Sequence, residues 1–178
     1  MRSGAKIRAV QRRDASVVGR VIVEMLEDSP LAFGESLAEA QARSEPEWSK
    51  IVEHMIRPGV ATAFLATDAL GPCGFLCADA EYPEAPPNTV VISRVWVATR
   101  QRGSGLGRRL MEAAQTWAEG RHATLLALGV TEMNTQAMQF YEHLGYREIG
   151  MRIPWPPDPT KQIIILGREM KTKASDPK

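Results

Sequence analysis

Thr89 to Met111, TVVISRVWVATRQRGSGLGRRLM, is the segment that leaves the fewest folds open. Val90, Val91, Ile92, Val95, Trp96 and Val97 have the β-branched and aromatic composition of a strand. Gln101-Arg102-Gly103-Ser104-Gly105-Leu106-Gly107 interrupts them, and Leu106, Leu110, Ala113, Ala114 and Trp117 then recur at helical spacing. The order is strand, glycine loop, helix. Glycines open backbone conformations closed to other residues and, lacking Cβ atoms, let a ligand approach the main chain. The first N–H groups of a helix have no internal partner and carry the positive end of its dipole, so such a loop suits a phosphate. We read it as a pyrophosphate cradle. A Walker loop needs Lys-Ser or Lys-Thr after its glycines, and a dinucleotide fingerprint needs GxGxxG. The G-x-G-x-G spacing here fits neither.

A second segment narrows the choice. Leu125 to Val130 is a short apolar strand, followed by Asn134-Thr135-Gln136-Ala137-Met138-Gln139-Phe140-Tyr141-Glu142-His143-Leu144-Gly145-Tyr146. In this order and separation the two segments resemble the GNAT acetyltransferase superfamily. Arg102, Gly105 and Gly107 fill its acetyl-CoA loop pattern, and the Asn-initiated helix with its Phe-Tyr pair and Leu-Gly-Tyr end resembles its later motif. The resemblance implies acetyl-CoA as acetyl donor, held in a V-shaped cleft where the strands of Val97 and Val130 splay apart. It places the pyrophosphate on the loop of Arg102, Gly103, Ser104, Gly105, Leu106, Gly107 and Arg108. The pantetheine arm would pair with the main chain of Val95, Trp96 and Val97 like an added strand. For Asn134 it implies a hydrogen bond to that arm, while the residue type alone marks a helix N-cap; both readings use the same side chain. For Tyr141 it implies the general acid at the cofactor sulfur, against simple packing beside Phe140. The sequence departs from the pattern at Ile92, where some members carry a Glu, and the general base is therefore open. Glu81, Glu84 and Glu132 are candidates acting through water.

The rest of the chain sets limits. Its 178 residues suffice for one hydrophobic core, and its net charge of +1 gives no electrostatic footprint for nucleic acid or a membrane surface. Cys73 and Cys77 lie on one face of a predicted strand, too far apart to bridge, and read as thiols in a reducing compartment. His54, His122 and His143 are scattered without ligand spacing, so no metal is expected. No long apolar run marks a leader or a membrane span. The expectation is a soluble, cytoplasmic protein with a single domain over residues 1–171 and a polar tail over 172–178.

In chain order, a strand is predicted over Lys6 to Val10, then a helix capped at Asp14 with Val18, Ile22, Met25 and Leu26 on one stripe, ending near Pro30. Leu31 to Leu37 reads as a connection. Ser44-Glu45-Pro46-Glu47 is a capping box opening a helix with Trp48, Ile51, Val52 and Met55. Val60 to Thr67 and Cys73 to Ala80 form a hairpin leading into the Thr89 strand. After the two motifs come strands near Arg147 to Arg152 and Ile163 to Met170. The proline-rich stretch Pro154 to Pro159 between them is expected to be a rigid loop unable to pair. The fold class is α/β, one mixed, mostly antiparallel sheet of about six to seven strands flanked by about four helices.

Acetyl transfer to an amine requires a deprotonated nucleophile, stabilisation of an oxyanion and a protonated leaving thiolate. In the GNAT fold that the resemblance implies, the first two helices and the last hairpin wall the acceptor side, which here means Met25 to Glu35, Trp48 and the Trp155 loop. Phe33 and Trp155 would cover an apolar body, and Glu27, Asp28 and Glu35 would supply negative charge for a cationic amine. The expected function is an N-acetyltransferase acting on a primary amine of a small molecule by direct attack in a ternary complex. A protein or peptide N-acetyltransferase and a non-catalytic acyl-CoA sensor are the alternatives. A homodimer is a candidate assembly.

Overall fold

A computed structural model describes residues 4–170. One seven-stranded sheet runs through it in the order β1-β2-β3-β4-β5-β7-β6. The chain visits β1 (Lys6–Ala9), α1 (Ala15–Asp28), α2 (Leu37–Ala42), α3 (Glu45–Met55), β2 (Ala61–Asp68), β3 (Gly71–Asp79), β4 (Thr89–Val97), α4 (Leu106–Glu119), β5 (Leu125–Thr131), α5 (Thr135–His143), β6 (Arg147–Trp155) and β7 (Asp158–Glu169). Neighbouring strands are antiparallel except for β4 and β5. This is the mixed, mostly antiparallel sheet expected. Among the described residues no helix is long and apolar enough to cross a membrane. The tail over 172–178 lies outside the described residues.

Local chemistry explains most boundaries. The capping box at α3 forms as read: Glu47 accepts from the Ser44 N–H at 2.7 Å, with Pro46 in the first turn. The short helix α2 was not expected within the region after Leu31. Its start carries the same pattern, Ser36-Leu37-Ala38-Glu39, and the Ser36 hydroxyl accepts from the Glu39 N–H at 3.4 Å. Six residues are too few for the apolar stripe that periodicity detects. Asp14 does precede α1, but its carboxylate leaves the helix end uncapped. It accepts instead from both terminal nitrogens of Arg8, at 2.6 and 2.9 Å, and from the Gln11 N–H at 2.8 Å.

The proline stretch is the clearest correction. Pro154 pairs with Gln162 and Trp155 with Asp158, so β6 and β7 run through the prolines and turn only at Pro156-Pro157. Pro154 is tolerated because β6 is the outermost strand, where a missing N–H removes no bond to a further neighbour, and Pro159 because it lies on β7 ahead of Ile163, where the pairing with β5 begins.

Side chains alternate across β3, so the even and odd residues face different layers. Gly74 faces α4: a Cβ there would meet Leu110 Cδ1 at 2.9 Å and Leu106 Cδ2 at 3.3 Å. The missing side chain lets α4 press its buried Leu106, Leu110, Ala114 and Ala118 onto the sheet. Phe75 pairs with Trp96 on the opposite face, where α1 ends, since the Trp96 indole N–H donates to Asp28. Cys73 and Cys77 are both buried and unbridged.

The decisive feature is where β4 and β5 part. They pair from Thr89↔Leu125 to Ile92↔Leu128 and no further. Beyond that point β4 stays on β3 through Val97 and β5 stays on β7 through Thr131. A register shift opposite Phe75 to Cys77, with Arg94 at φ 52, bends β4 away. The two strands are thus held from their outer sides around a widening gap.

Candidate active site

At the open end of the gap, β4 leads through a 3-10 turn (Thr99–Gln101) into the glycine loop. Gly103 and Gly105 have φ of 75° and 83°, left-handed values that other residues adopt only with strain. A Cβ at either would meet nothing within 4 Å. Glycine is required there by the turn, and the backbone of the loop is left uncovered. Gly107 is different: a Cβ would lie 3.1 Å from the Phe140 ring, so this glycine sets the approach of α5 to α4. The Ser104 hydroxyl donates to the Gln101 carbonyl at 2.6 Å, and the buried Leu106 anchors the first turn of α4. Arg108 is exposed just inside the helix.

The Arg102 side chain faces away from the loop's N–H groups. Its Nε donates to the Val97 carbonyl at 3.0 Å and its Nη2 forms an ion pair with Asp28. Asp28 also accepts from the Trp96 indole at 3.2 Å and the Thr99 hydroxyl at 3.0 Å. Burial pushes this carboxyl up, but the hydrogen bonds from Ser29, Thr99 and Trp96 and the Arg102 charge outweigh it, leaving its pKa below the usual range. The end of α1 is thereby locked to the loop.

From that anchor residues 29–36 cross the gap as a strap. The Leu31 carbonyl accepts from the Thr131 hydroxyl at 3.2 Å, on β5. Gly34 lies against Pro156, 3.5 Å from where its Cβ would stand, in the β6-β7 turn. Glu35 bonds to Arg43 and, at 3.3 Å, to Arg94 on β4. Phe33 is half-buried on the core. Trp155 is 5% exposed rather than a loop cover, and its indole N–H is buried with no acceptor among the described residues. Two of the three charges of the negative patch read from the sequence are spent: Asp28 is paired with Arg102 and Glu35 is shared by two arginines, while Glu27 accepts from the neutral Gln41 amide and keeps its charge. Trp48 does not reach the acceptor side. It packs on Gly19 under the Arg43 guanidinium and lines a cleft of about 640 Å³ among α1, α2 and α3, on the side of α1 away from the sheet.

Asn134 caps α5, its Oδ1 accepting from the Ala137 N–H at 3.0 Å. The capping use of the oxygen leaves the amide nitrogen as the donor for other partners. Tyr141 sits between Phe140 and Tyr146, with ring centroids at 5.1 and 5.9 Å, and is 7% exposed. Burial, reinforced by Tyr146, pushes its hydroxyl well above the ordinary tyrosine value.

Residues 22–146 match the acetyltransferase (GNAT) family. The chain belongs to this family. It is 36% identical over 110 residues to N-alpha-acetyltransferase 40 of Saccharomyces cerevisiae, covering 57% of this chain and 36% of that protein. It is 33% identical over 84 residues to the peptidyl-lysine N-acetyltransferase YjaB of Salmonella typhimurium, covering 47% and 48%. The chain thus spans less than half the length of either relative. A spermidine N-acetyltransferase from Vibrio cholerae, solved with CoA and spermine, shares the fold with a TM-score of 0.71 at 17% identity, covering 94% of this chain and 96% of that one.

Within this GNAT chain the carboxylate candidates separate by position. Ile92 is 1% exposed and held by Ala78 and Leu128, with no room for a charge. Glu81 and Glu84 lie before β4, at the opposite end from Val97; nine strand residues separate the two ends by roughly 25 Å. That excludes them as bases. Glu132 directly follows β5 at the open end and is exposed. His54 is on α3, His122 in the turn before β5, and His143 bonds its own helix at Gln139, so none enters the gap. The residues missed by sequence reading are Thr131 and Arg94. Their roles come from partners 100 and 59 residues away, which no local pattern encodes.

Proposed function

We propose that the protein transfers an acetyl group from acetyl-CoA to a primary amine of a small molecule, by direct attack in a ternary complex. The observation that carries this reading is the gap between β4 and β5 running into left-handed glycine turns whose backbone is uncovered. Acetyl-CoA, when bound, supplies an acyl thioester already activated for attack. In this reading the N–H groups from Gly103 to Gly107, at the positive end of α4, take the pyrophosphate, with Arg108 beside them. The main chain at Val95 to Val97 takes the pantetheine arm, with one lone pair of the Val97 carbonyl committed to Arg102. The Asn134 amide nitrogen donates to the same arm while its oxygen holds the helix.

The amine, with an ordinary pKa near 10, must lose a proton before attack. Glu132, through water, is the carboxylate at the right end of the sheet for that step. A backbone N–H of the Val95 to Val97 segment faces the developing oxyanion. Tyr141 keeps its proton and donates a hydrogen bond to the departing sulfur. Its raised pKa makes full transfer to a thiolate uphill, so stabilisation by the shared proton is the larger part of its role.

The close approach of Gly34 to Pro156, which leaves room for about one methyl group between them, favours a small acceptor because it narrows any groove for a peptide. A peptide acceptor is the second reading, favoured by the activities for which the two sequence relatives are named. Calorimetric titration with acetyl-CoA, CoA and ATP, then thiol release against free amines and peptides, tests all of this. Binding with release on free amines supports the proposal, and release on peptides alone moves it to the second reading. Binding without release on any acceptor makes the protein a sensor. No binding of acetyl-CoA overturns the loop assignment.

A further inference from the structure

Arg94 stands at the bend of β4, immediately before Val95, at a left-handed φ of 52°. Positive φ in a non-glycine residue costs on the order of 1 kcal/mol and is found where surrounding structure enforces it. Its guanidinium, about one third exposed, has one bonded nitrogen among the described residues: Nη2, at 3.3 Å from Glu35. Its Nε is buried without an acceptor among the described residues. Glu35 is simultaneously held by Arg43, so one carboxylate is shared between two guanidiniums beneath the strap.

Glu47 lies within electrostatic reach of Arg43, and the other nearby carboxylates have partners of their own. Asp28 is committed to Arg102, and Asp79 to Arg57 at 2.9 Å. The Cys77 thiol lies close to Arg94, but burial pushes it up to about 11, so it stays neutral. Across the strap the Trp155 indole N–H is a second buried donor with no acceptor among the described residues. Arg94 thus keeps hydrogen-bonding capacity that Glu35 alone does not fill, which suits a second carboxylate.

We propose that Arg94 binds a carboxylate of the acceptor, so that the preferred substrates are amines bearing a carboxylate, of the amino-acid class. This rests on the acetyl-transfer reading above. Arg94 precedes the main chain assigned to the pantetheine arm, which sets the acceptor's acid end against β4 and its amine toward the gap. Arg94 is a binding residue, distinct from the groups that move protons. The bidentate geometry of guanidinium with carboxylate makes the recognition directional, which a lysine at the same place supplies only in part.

The test pairs amino acids with the amines obtained by removing their carboxylate, in thiol-release assays on the full-length protein. Wild type should favour the acids through KM. Arg94→Ala should raise KM for the acids about 10- to 100-fold relative to their decarboxylated amines, with any effect of the lost strap tether falling equally on both members of a pair. Alanine at this φ is strained much as arginine is, so the substitution leaves the backbone as it was. Arg94→Lys should recover part of the loss. Glu35→Gln, which removes the internal competitor, should lower KM for the acids a few-fold. Equal damage to both members of a pair, or a wild-type preference for amines without a carboxylate, overturns the proposal and reduces Arg94 to a strap fastener. If no amine releases thiol, the acetyl-transfer reading fails by itself. Calorimetry with N-acetyl amino acids against their amides, in the presence of CoA, then still decides the carboxylate question: tighter binding of the acids, lost in Arg94→Ala, supports it, and equal binding overturns it.

Discussion

The proton on Tyr141 is set by burial. Because the phenolate form is disfavoured between Phe140 and Tyr146, the raised pKa keeps the hydroxyl protonated beyond the ordinary tyrosine value of about 10. The expected kcat profile therefore has no alkaline fall below about pH 10; a fall near pH 9 that disappears in Tyr141→Phe would contradict this assignment. Tyr141→Phe should lower turnover by about 10²-fold while leaving the calorimetric affinity for acetyl-CoA unchanged. At Gly105 the argument is steric and electrostatic together. Gly105→Glu puts a carboxylate into the uncovered loop and a side chain onto a left-handed backbone, at a strain of about 1–2 kcal/mol. The chain should remain folded by circular dichroism and lose acetyl-CoA binding; retained affinity would remove the loop from the site.

At the scale of elements, the site depends on how closely helices and strap approach the sheet. Gly107→Ala sets a Cβ 3.1 Å from the Phe140 ring, so that ring must give by a few tenths of an ångström and press on Tyr141 beside it. We expect a loss of about 1–3 kcal/mol in urea unfolding, accompanied by reduced kcat. Unchanged kcat would mean that α5 tolerates the shift or that Tyr141 is idle. The strap gives a complementary case. Two of its tethers, Asp28 to Arg102 and Glu35 to Arg94, join residues 74 and 59 apart in sequence. Asp28→Asn keeps the shape but drops the charge that holds Arg102, and should weaken acetyl-CoA binding several-fold without lowering the helix content of α1. The pattern Ser36-x-x-Glu39 shows that a short helix can be written entirely in its cap, whereas the strap that precedes it has no repeating pattern to read.

For the whole molecule, several carboxylates tie distant elements together in their ionised form. Hydrogen bonds from Arg8 lower Asp14, and those from Arg100 and Gln101 lower Asp68 to about 2. A depressed folded pKa contributes stability above the ordinary aspartate value near 4, lost as pH falls through the folded value. The urea midpoint should accordingly hold from pH 7 to about pH 5 and decline most steeply between about pH 4 and 2; a decline centred near pH 6 would implicate histidine instead. The sequence by itself determined the strand, loop and helix around Gly103 to Gly107, the Asn134 cap, the capping box at Ser44 and the sheet's overall composition. These are short-range matters, decided by backbone freedom, apolar period and side chains that bond within a few residues. It misjudged Pro154 to Pro159 because whether a proline can pair depends on whether a further strand needs its N–H. It misjudged the charge of Asp28 and Glu35 because an ion pair exists only once two distant segments meet. Only the tertiary structure decided which carboxylates are spent, which glycine packs a helix and which leaves a backbone open, and that Arg94 on β4 meets Glu35 of the strap.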